Sequence, residues 1–473
     1  MTTAMSNPAS PEVGEIDRSA RCSLSFLLVS SFAWLVFGGI LALINLVQLH
    51  TPTFLADCSI FTFGRLQAMQ ETALIYGWAA NAGLAVALWL LARLGGSPLR
   101  GANYVLLGGI FWSLGVQLAI MGIALGDQTS FAFLQMPRYA QPILLFAFAA
   151  VAAPGVLVWT GRRNETTYAT QWYAVAALFL FPWFFSVAQV MLIFSPVRGV
   201  LQAVVAAWFA QNLFSLWLAP LAMAALYYLV PKIKGKVVPS YDFAIYGFWS
   251  LLLFGTWMGG RHLIGGPVPA WIPTMGITAT VLVLFHHMIV FVNLRGVFTP
   301  GGSTVLKFAA YGFGAYLLGA VVDVVISSRA FAVATQFTLF QQAQTHLGVA
   351  AFSMIMFAAI YFLAPRLVGA AWPSAGLIRA HYVASAGGFT LLIASLAIAG
   401  WKQGVALNDA SVSFEMIASQ LRPWLLAATA AQALLIVGNL SLGIHFVRLF
   451  FTKSTESTLK QFSQPATLEA SVS

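Results

Sequence analysis

Apolar positions in this chain come in long unbroken runs parted by short polar breaks, and the pattern repeats twelve times. The runs lie at roughly 24–48, 71–93, 102–125, 139–160, 171–195, 202–230, 242–264, 272–294, 305–327, 338–364, 377–401 and 424–447, each close to the ~20 residues an α-helix needs to cross a bilayer. None alternates with the period of two that a lipid-facing barrel strand requires. A helix pairs every backbone polar group within itself, which is what a lipid environment demands. The pattern therefore predicts an all-α, polytopic membrane protein built as a bundle of about twelve transmembrane helices. Gly38-Gly39 and the Ala/Gly-rich stretch from Ala79 to Ala87 put small residues where helices can approach closely.

Composition agrees with the pattern. The chain has 473 residues, 60% hydrophobic and only 8% charged, whereas soluble domains are about 25% charged. This excludes a soluble globular protein. The expected organisation is a cytoplasmic tail over 1–22, one membrane domain over 23–451 and a Ser/Thr/Gln-rich, disordered tail over 452–473. The first apolar run lies too far from the N-terminus and is too long for a typical cleaved signal, so it reads as a retained span.

The net charge of +10 does not mark a nucleic-acid surface, because the basic residues are scattered between apolar runs as topology-setting charges are. Sixteen Lys and Arg fall on the side of the two tails, including Arg93, Arg162, Arg163 and Lys232, and seven on the other, including Arg65, Arg138 and Arg329. Both termini are therefore expected in the cytoplasm, with the chain in a bacterial inner membrane. Cys22 and Cys58 flank the first run and should face opposite sides, so they form no disulfide with each other.

Polar groups inside spans are costly and mark places of interest. Five stand out: Gln70-Glu71, Gln211-Asn212, Arg261-His262, His286-His287, and Gln344 with His346. Topology puts most of them in the outer half of the bilayer, in one buried polar layer. Gln344 and His346 are two residues apart, about 200° around a helix, so they face opposite sides. His286 and His287 diverge by about 100°, which argues against joint ligation of one metal. His50, His381 and His445 lie near span ends, where snorkelling to the interface is the expectation. Glu71 and Asp323 are candidates for a proton path, but Glu71 reads rather as a helix-terminal acid with a local partner. Asp323 reads as pairing with polar groups near the outer face.

Several of these places sit in tracts that resemble a known family. Trp208-Phe209-Ala210-Gln211-Asn212, followed by Tyr227-Tyr228-Leu229-Val230-Pro231-Lys232, is similar to the sixth helix of subunit I of the haem-copper oxidases, especially the cbb₃-type cytochrome c oxidases, where the tracts read Trp-Tyr-Gly-His-Asn and Tyr-Tyr-Phe-Val-Pro-Lys. Thr256-Trp257-Met258-Gly259-Gly260-Arg261-His262-Leu263, with Pro269-Ala270-Trp271 after it, resembles the family's Trp-Ala-Gly-Pro-His-His-Leu and Pro-Asp-Trp. Gln344-Thr345-His346-Leu347-Gly348, leading to Tyr361 and Pro365, resembles His-Val-His-Ser-Gly with its closing Tyr and Pro. Phe63-Gly64-Arg65-Leu66 opens the second span as the family does.

The resemblance implies a low-spin haem b on two histidines, a high-spin haem on one, and a copper on three, with a tyrosine linked to one copper ligand. Carried over, the low-spin pair falls on Gln70 and His346, and the high-spin ligand on Gln344. The copper ligands fall on Gln211, Arg261 and His262, and the tyrosine on Gly255. Imidazole binds iron and copper well and a carboxamide poorly, so four of six metal ligands are replaced. His346 is left either as a hydrogen-bonded histidine inherited from a haem-binding ancestor, the favoured reading, or as a candidate ligand for a single haem b, with Met69 beside the vacated position; His262 is left as a residual copper-ligand position that alone cannot make a copper site. Arg261 is expected to stand in for lost metal charge and to hydrogen-bond Gln211.

Three functions compete on this basis. A degenerate subunit I-like protein would serve other membrane subunits of a respiratory complex as a scaffold or electron-transfer partner, the latter with a cytochrome c. An active terminal oxidase would reduce oxygen to water. A transporter or channel would use the vacated cavity. The ligand set favours the first.

Overall fold

The computed structural model describes residues 13–299 and 302–452. The described residues form twelve helices long and apolar enough to cross a membrane, and no β-strand occurs among them. In chain order they are α1 (Val13–His50), α2 (Phe63–Gly95), α3 (Ala102–Leu125), α4 (Ala140–Thr160), α5 (Ala169–Phe194), α6 (Val200–Lys234), α7 (Tyr241–Leu263), α8 (Trp271–Phe298), α9 (Thr304–Ile326), α10 (Leu339–Val368), α11 (Ala375–Leu407) and α12 (Phe414–Phe450).

Three helices make the centre. The apolar stretches of α2, α6 and α10 are 94%, 94% and 83% buried, against 22–56% for the other nine. A helix wrapped on all sides needs apolar or small residues around its whole circumference. The Ala/Gly-rich run of α2 meets that need, and Gly83 lies close enough to Leu221 of α6 that a Cβ would come within 2.7 Å of it. The outer helices keep one face for lipid, where residues such as Leu107, Leu114 and Met121 of α3 are exposed.

Two helices reach well beyond their apolar runs. α1 starts at Val13, so residues 13–22, expected in the N-terminal tail, are helical; the rest of both expected tails, residues 1–12 and 453–473, lies outside the described residues. Its first turns are tied down by Asp17, whose carboxylate accepts from Arg93 at 2.6 Å and from Trp89 Nε1 at 3.0 Å in a buried network. α12 begins at Phe414, capped by the Ser413 hydroxyl accepting from the Met416 amide. Caps and polar anchors extend a helix past its hydrophobic stretch, and hydropathy does not register them.

Candidate functional site

One end of the bundle gathers polar groups from four helices around one cavity. Gln211 lies on α6 just before the backbone widens into a π-helical stretch, Leu213–Leu218. Ser215 within it donates to the carbonyls of Gln211 and Gly255, both at 3.0 Å. π-turns shift helix register and often accompany functional sites.

α7 ends in a tight 3₁₀ stretch, Met258–Leu263, which carries Arg261 and His262. Glycine makes this possible. A Cβ at Gly260 would lie 2.7 Å from the Ile272 carbonyl oxygen, and one at Gly276 of α8 only 2.3 Å from the Arg261 amide nitrogen. The close approach turns Arg261 into the core, where it is 4% exposed.

Arg261 meets Asp323 from the last turns of α9, with Nη2 3.0 Å from Oδ1. Gln344 of α10 donates its amide to the same carboxylate oxygen. The Gln211 side-chain oxygen accepts from His262 Nε2 at 3.3 Å. These groups line a cavity of about 410 Å³ together with Tyr316. Phe133 lines it too, with a φ of +59° that is rare for a bulky residue, and Tyr76 donates to its carbonyl at 2.6 Å. Away from Asp323 the walls become apolar: Leu218, Ala222, Phe352 and Ile355.

The expected Arg261–Gln211 hydrogen bond is not what forms. Arg261 pairs with Asp323, and Gln211 pairs with His262. The reason is electrostatic: a buried guanidinium gains far more from a carboxylate than from a neutral amide. Asp323 thus has its partner in α7, across the cavity.

Of the seven positions carried over from the resemblance, Gln211, Arg261, His262 and Gln344 meet on the cavity, while Gln70, Gly255 and His346 do not line it. Gln344 and His346 do face different surroundings. Gln70 is buried and His346 half-buried, and neither side chain takes a hydrogen bond among the described residues, so the hydrogen-bonded role expected of His346 is not found. Glu71 has local partners, accepting from Gln67 at 3.1 Å and Gln135 at 2.5 Å.

The remaining histidines divide. His286 bonds the Gly247 carbonyl at 2.9 Å and the Tyr316 hydroxyl at 3.0 Å, while His287 bonds the Val283 carbonyl and stacks on the Tyr316 ring. His50 is half-buried, with partners Thr51 and Thr429. His381 and His445 do not snorkel. Both are fully buried near aromatic rings including Tyr361, and Tyr361 bonds His381 Nδ1 at 3.0 Å.

Sequence reasoning missed Tyr316 as a site residue and Asp323 as the partner of Arg261. A signal existed. The two stand seven residues apart on α9, two turns along one face.

Among the described residues no three His, Cys, Asp or Glu side chains gather so that they could hold a metal ion. The donor set at the cavity therefore does not fit a three-histidine copper: of the three positions that the resemblance assigns to it, Gln211, Arg261 and His262, one is an imidazole, and Arg261 is already paired with a carboxylate.

Residues 24–434 match the family described as Cytochrome C and Quinol oxidase polypeptide I. The chain belongs to that family. Its fold is that of a haem-copper oxidase: a solved structure described as a heme-copper terminal oxidase dimer superposes with a TM-score of 0.67 at 13% identity, over 94% of this chain and 91% of that one. Related sequences include a cytochrome c oxidase subunit 1 homolog from Azorhizobium caulinodans, 24% identical over 92% of this chain and 82% of its own length. A cbb₃-type cytochrome c oxidase subunit CcoN1 from Stutzerimonas stutzeri is also 24% identical, over 81% of this chain and 86% of its own. This haem-copper oxidase family member thus spans most of its relatives' length and lacks, among its described residues, an evident metal-binding cluster.

Proposed function

We propose that this protein is a cbb₃-related, subunit I-like member of the haem-copper oxidases that has given up the oxygen-reducing centre and works as a non-catalytic subunit, a scaffold or electron-transfer partner for other membrane subunits of a respiratory complex. The observation that carries the reading is the Arg261–Asp323 pair, braced by Gln344. It stands among positions where the resemblance would require imidazoles. A guanidinium is a permanent cation with no lone pair to offer a metal, and its charge is already balanced. Under this reading Gln70, Gln211, Arg261, Gln344 and Gly255 are replaced positions, His262 is a residual copper-ligand position, and the protein resides in a bacterial inner membrane.

Elemental analysis of the purified protein, with a dithionite-reduced absorption spectrum, tests this. The expected result is no stoichiometric copper and no carbon monoxide-sensitive haem. Stoichiometric copper would reinstate the terminal oxidase. One observation favours a second reading. His346 is half-buried without a hydrogen-bond partner among the described residues, so its imidazole is available to a single low-spin haem b, with a cytochrome c as electron donor. A sharp b-type band insensitive to carbon monoxide, lost in His346→Ala, would select it.

A further inference from the structure

The cavity has the two ends of an amphiphile's binding site. At its polar end Asp323 Oδ2 takes no hydrogen bond among the described residues, and the Asp323 side chain is 18% exposed, whereas the Arg261 guanidinium beside it is buried. A spare acceptor therefore stands on a neutralised ion pair at the cavity wall. Between Gln344 and Ile355 the wall along α10 extends about 16 Å at the helical rise, from this polar end past Phe352 into apolar surroundings with Leu218 and Ala222 opposite.

The charge balance decides which head group fits. Arg261 and Asp323 already neutralise each other at 3.0 Å. A carboxylate or ammonium would bring a third charge into a low-dielectric space, with its own desolvation cost and repulsion from one member of the pair. A hydroxyl is neutral and donates one hydrogen bond, which matches the spare Asp323 Oδ2 acceptor without adding charge. The remaining length suits an apolar tail.

We propose that this cavity binds an uncharged amphiphile with a hydroxyl head, taken from the surrounding bilayer, its head on Asp323 and its tail toward Ala222 and Ile355. The inference rests on the reading that the cavity holds no metal centre.

The test uses the full chain in lipid nanodiscs and three photoactivatable probes with the same medium-length alkyl chain: an alcohol, a carboxylate and a primary amine, each with a diazirine at the chain end. The alcohol is expected to label α6 and α10 peptides about tenfold more strongly than either charged probe, a difference of about 1.4 kcal/mol. Unlabelled alcohol should compete, and Ala219→Phe, which fills the cavity wall, should abolish the labelling. Asp323→Asn should reverse the order in favour of the carboxylate, because it leaves the Arg261 cation unbalanced. Equal labelling by all three probes, or labelling indifferent to Ala219→Phe, overturns the inference. Should Asp323→Asn fail to fold, the comparison of probes on the unaltered chain and the Ala219→Phe result still decide. Copper measured on the same sample separates the two levels: copper present refutes the functional reading, whereas a metal-free protein without preference for the alcohol refutes this inference alone.

Discussion

Breaking one half of a buried ion pair leaves a charge with no partner in a medium that solvates it poorly, while replacing both halves with apolar groups removes the problem. Arg261 and Asp323 present that situation, with side chains 4% and 18% exposed. Arg261→Met alone and Asp323→Leu alone should each destabilise the protein by about 3–5 kcal/mol, and the double variant Arg261→Met/Asp323→Leu by much less. Thermal unfolding of the four proteins in detergent measures the coupling; additive effects would show that the pair is not a unit. A neutral bond gives a smaller effect. Tyr361→Phe removes the only partner of His381 Nδ1 among the described residues and should cost about 1–3 kcal/mol, read as a lowered melting temperature. At this scale the sequence spoke clearly within a helix and poorly between helices. The opposite facing of Gln344 and His346 follows from helical geometry alone. That Asp323 would meet Arg261 required the relative register of α7 and α9, which their sequences do not carry.

Elements show the same division. Hydropathy located all twelve spans because a bilayer imposes one length and one composition on whatever crosses it. It could not show where helices depart from regular geometry, since π and 3₁₀ turns change hydrogen-bond partners without changing apolar content. Yet these departures build the site. The 3₁₀ end of α7 sits so close to α8 that Gly276 has room only for hydrogen, its would-be Cβ lying 2.3 Å from Arg261 N and 2.6 Å from Gly260 C. The neighbouring atoms are backbone and cannot rotate away. Gly276→Ala should therefore push the Arg261 turn outward and cost about 1–3 kcal/mol through overpacking, and it should weaken Arg261–Asp323 coupling when the double-variant cycle is repeated in its background. Unchanged coupling would mean that Gly276 does not position Arg261. Gly-Gly before Arg261 was visible in the sequence, but its partner glycine, Gly276, sixteen positions after Gly260, becomes meaningful only once α7 and α8 are packed.

For the whole molecule the question is which way it faces. Positive-inside asymmetry counts charges available at the membrane surface, and the structure refines that count. Arg261 is consumed in a buried pair with Asp323, and Arg93 in one with Asp17, so neither reports on topology. Removing one from each side leaves fifteen basic residues on the side of the termini and six on the other. The bias strengthens, from a little over twofold to two and a half. Both termini should then lie in the cytoplasm. Cys22 and Cys58 offer a direct readout, because the stretch of α1 from Cys22 to its end at His50 rises about 42 Å, enough to put the two thiols on opposite faces. A membrane-impermeant maleimide added to intact spheroplasts should label Cys58, which precedes α2 in the outer connection, and should reach Cys22 only after the membrane is opened. Gln128→Cys in a background with both natural cysteines changed to serine checks the same face at an exposed position between α3 and α4. Labelling of Cys22 but neither Cys58 nor Gln128→Cys in intact spheroplasts would invert the molecule and put the Arg261–Asp323 cavity in the cytoplasmic half. An electron donor or hydroxyl amphiphile would then have to approach from the other leaflet.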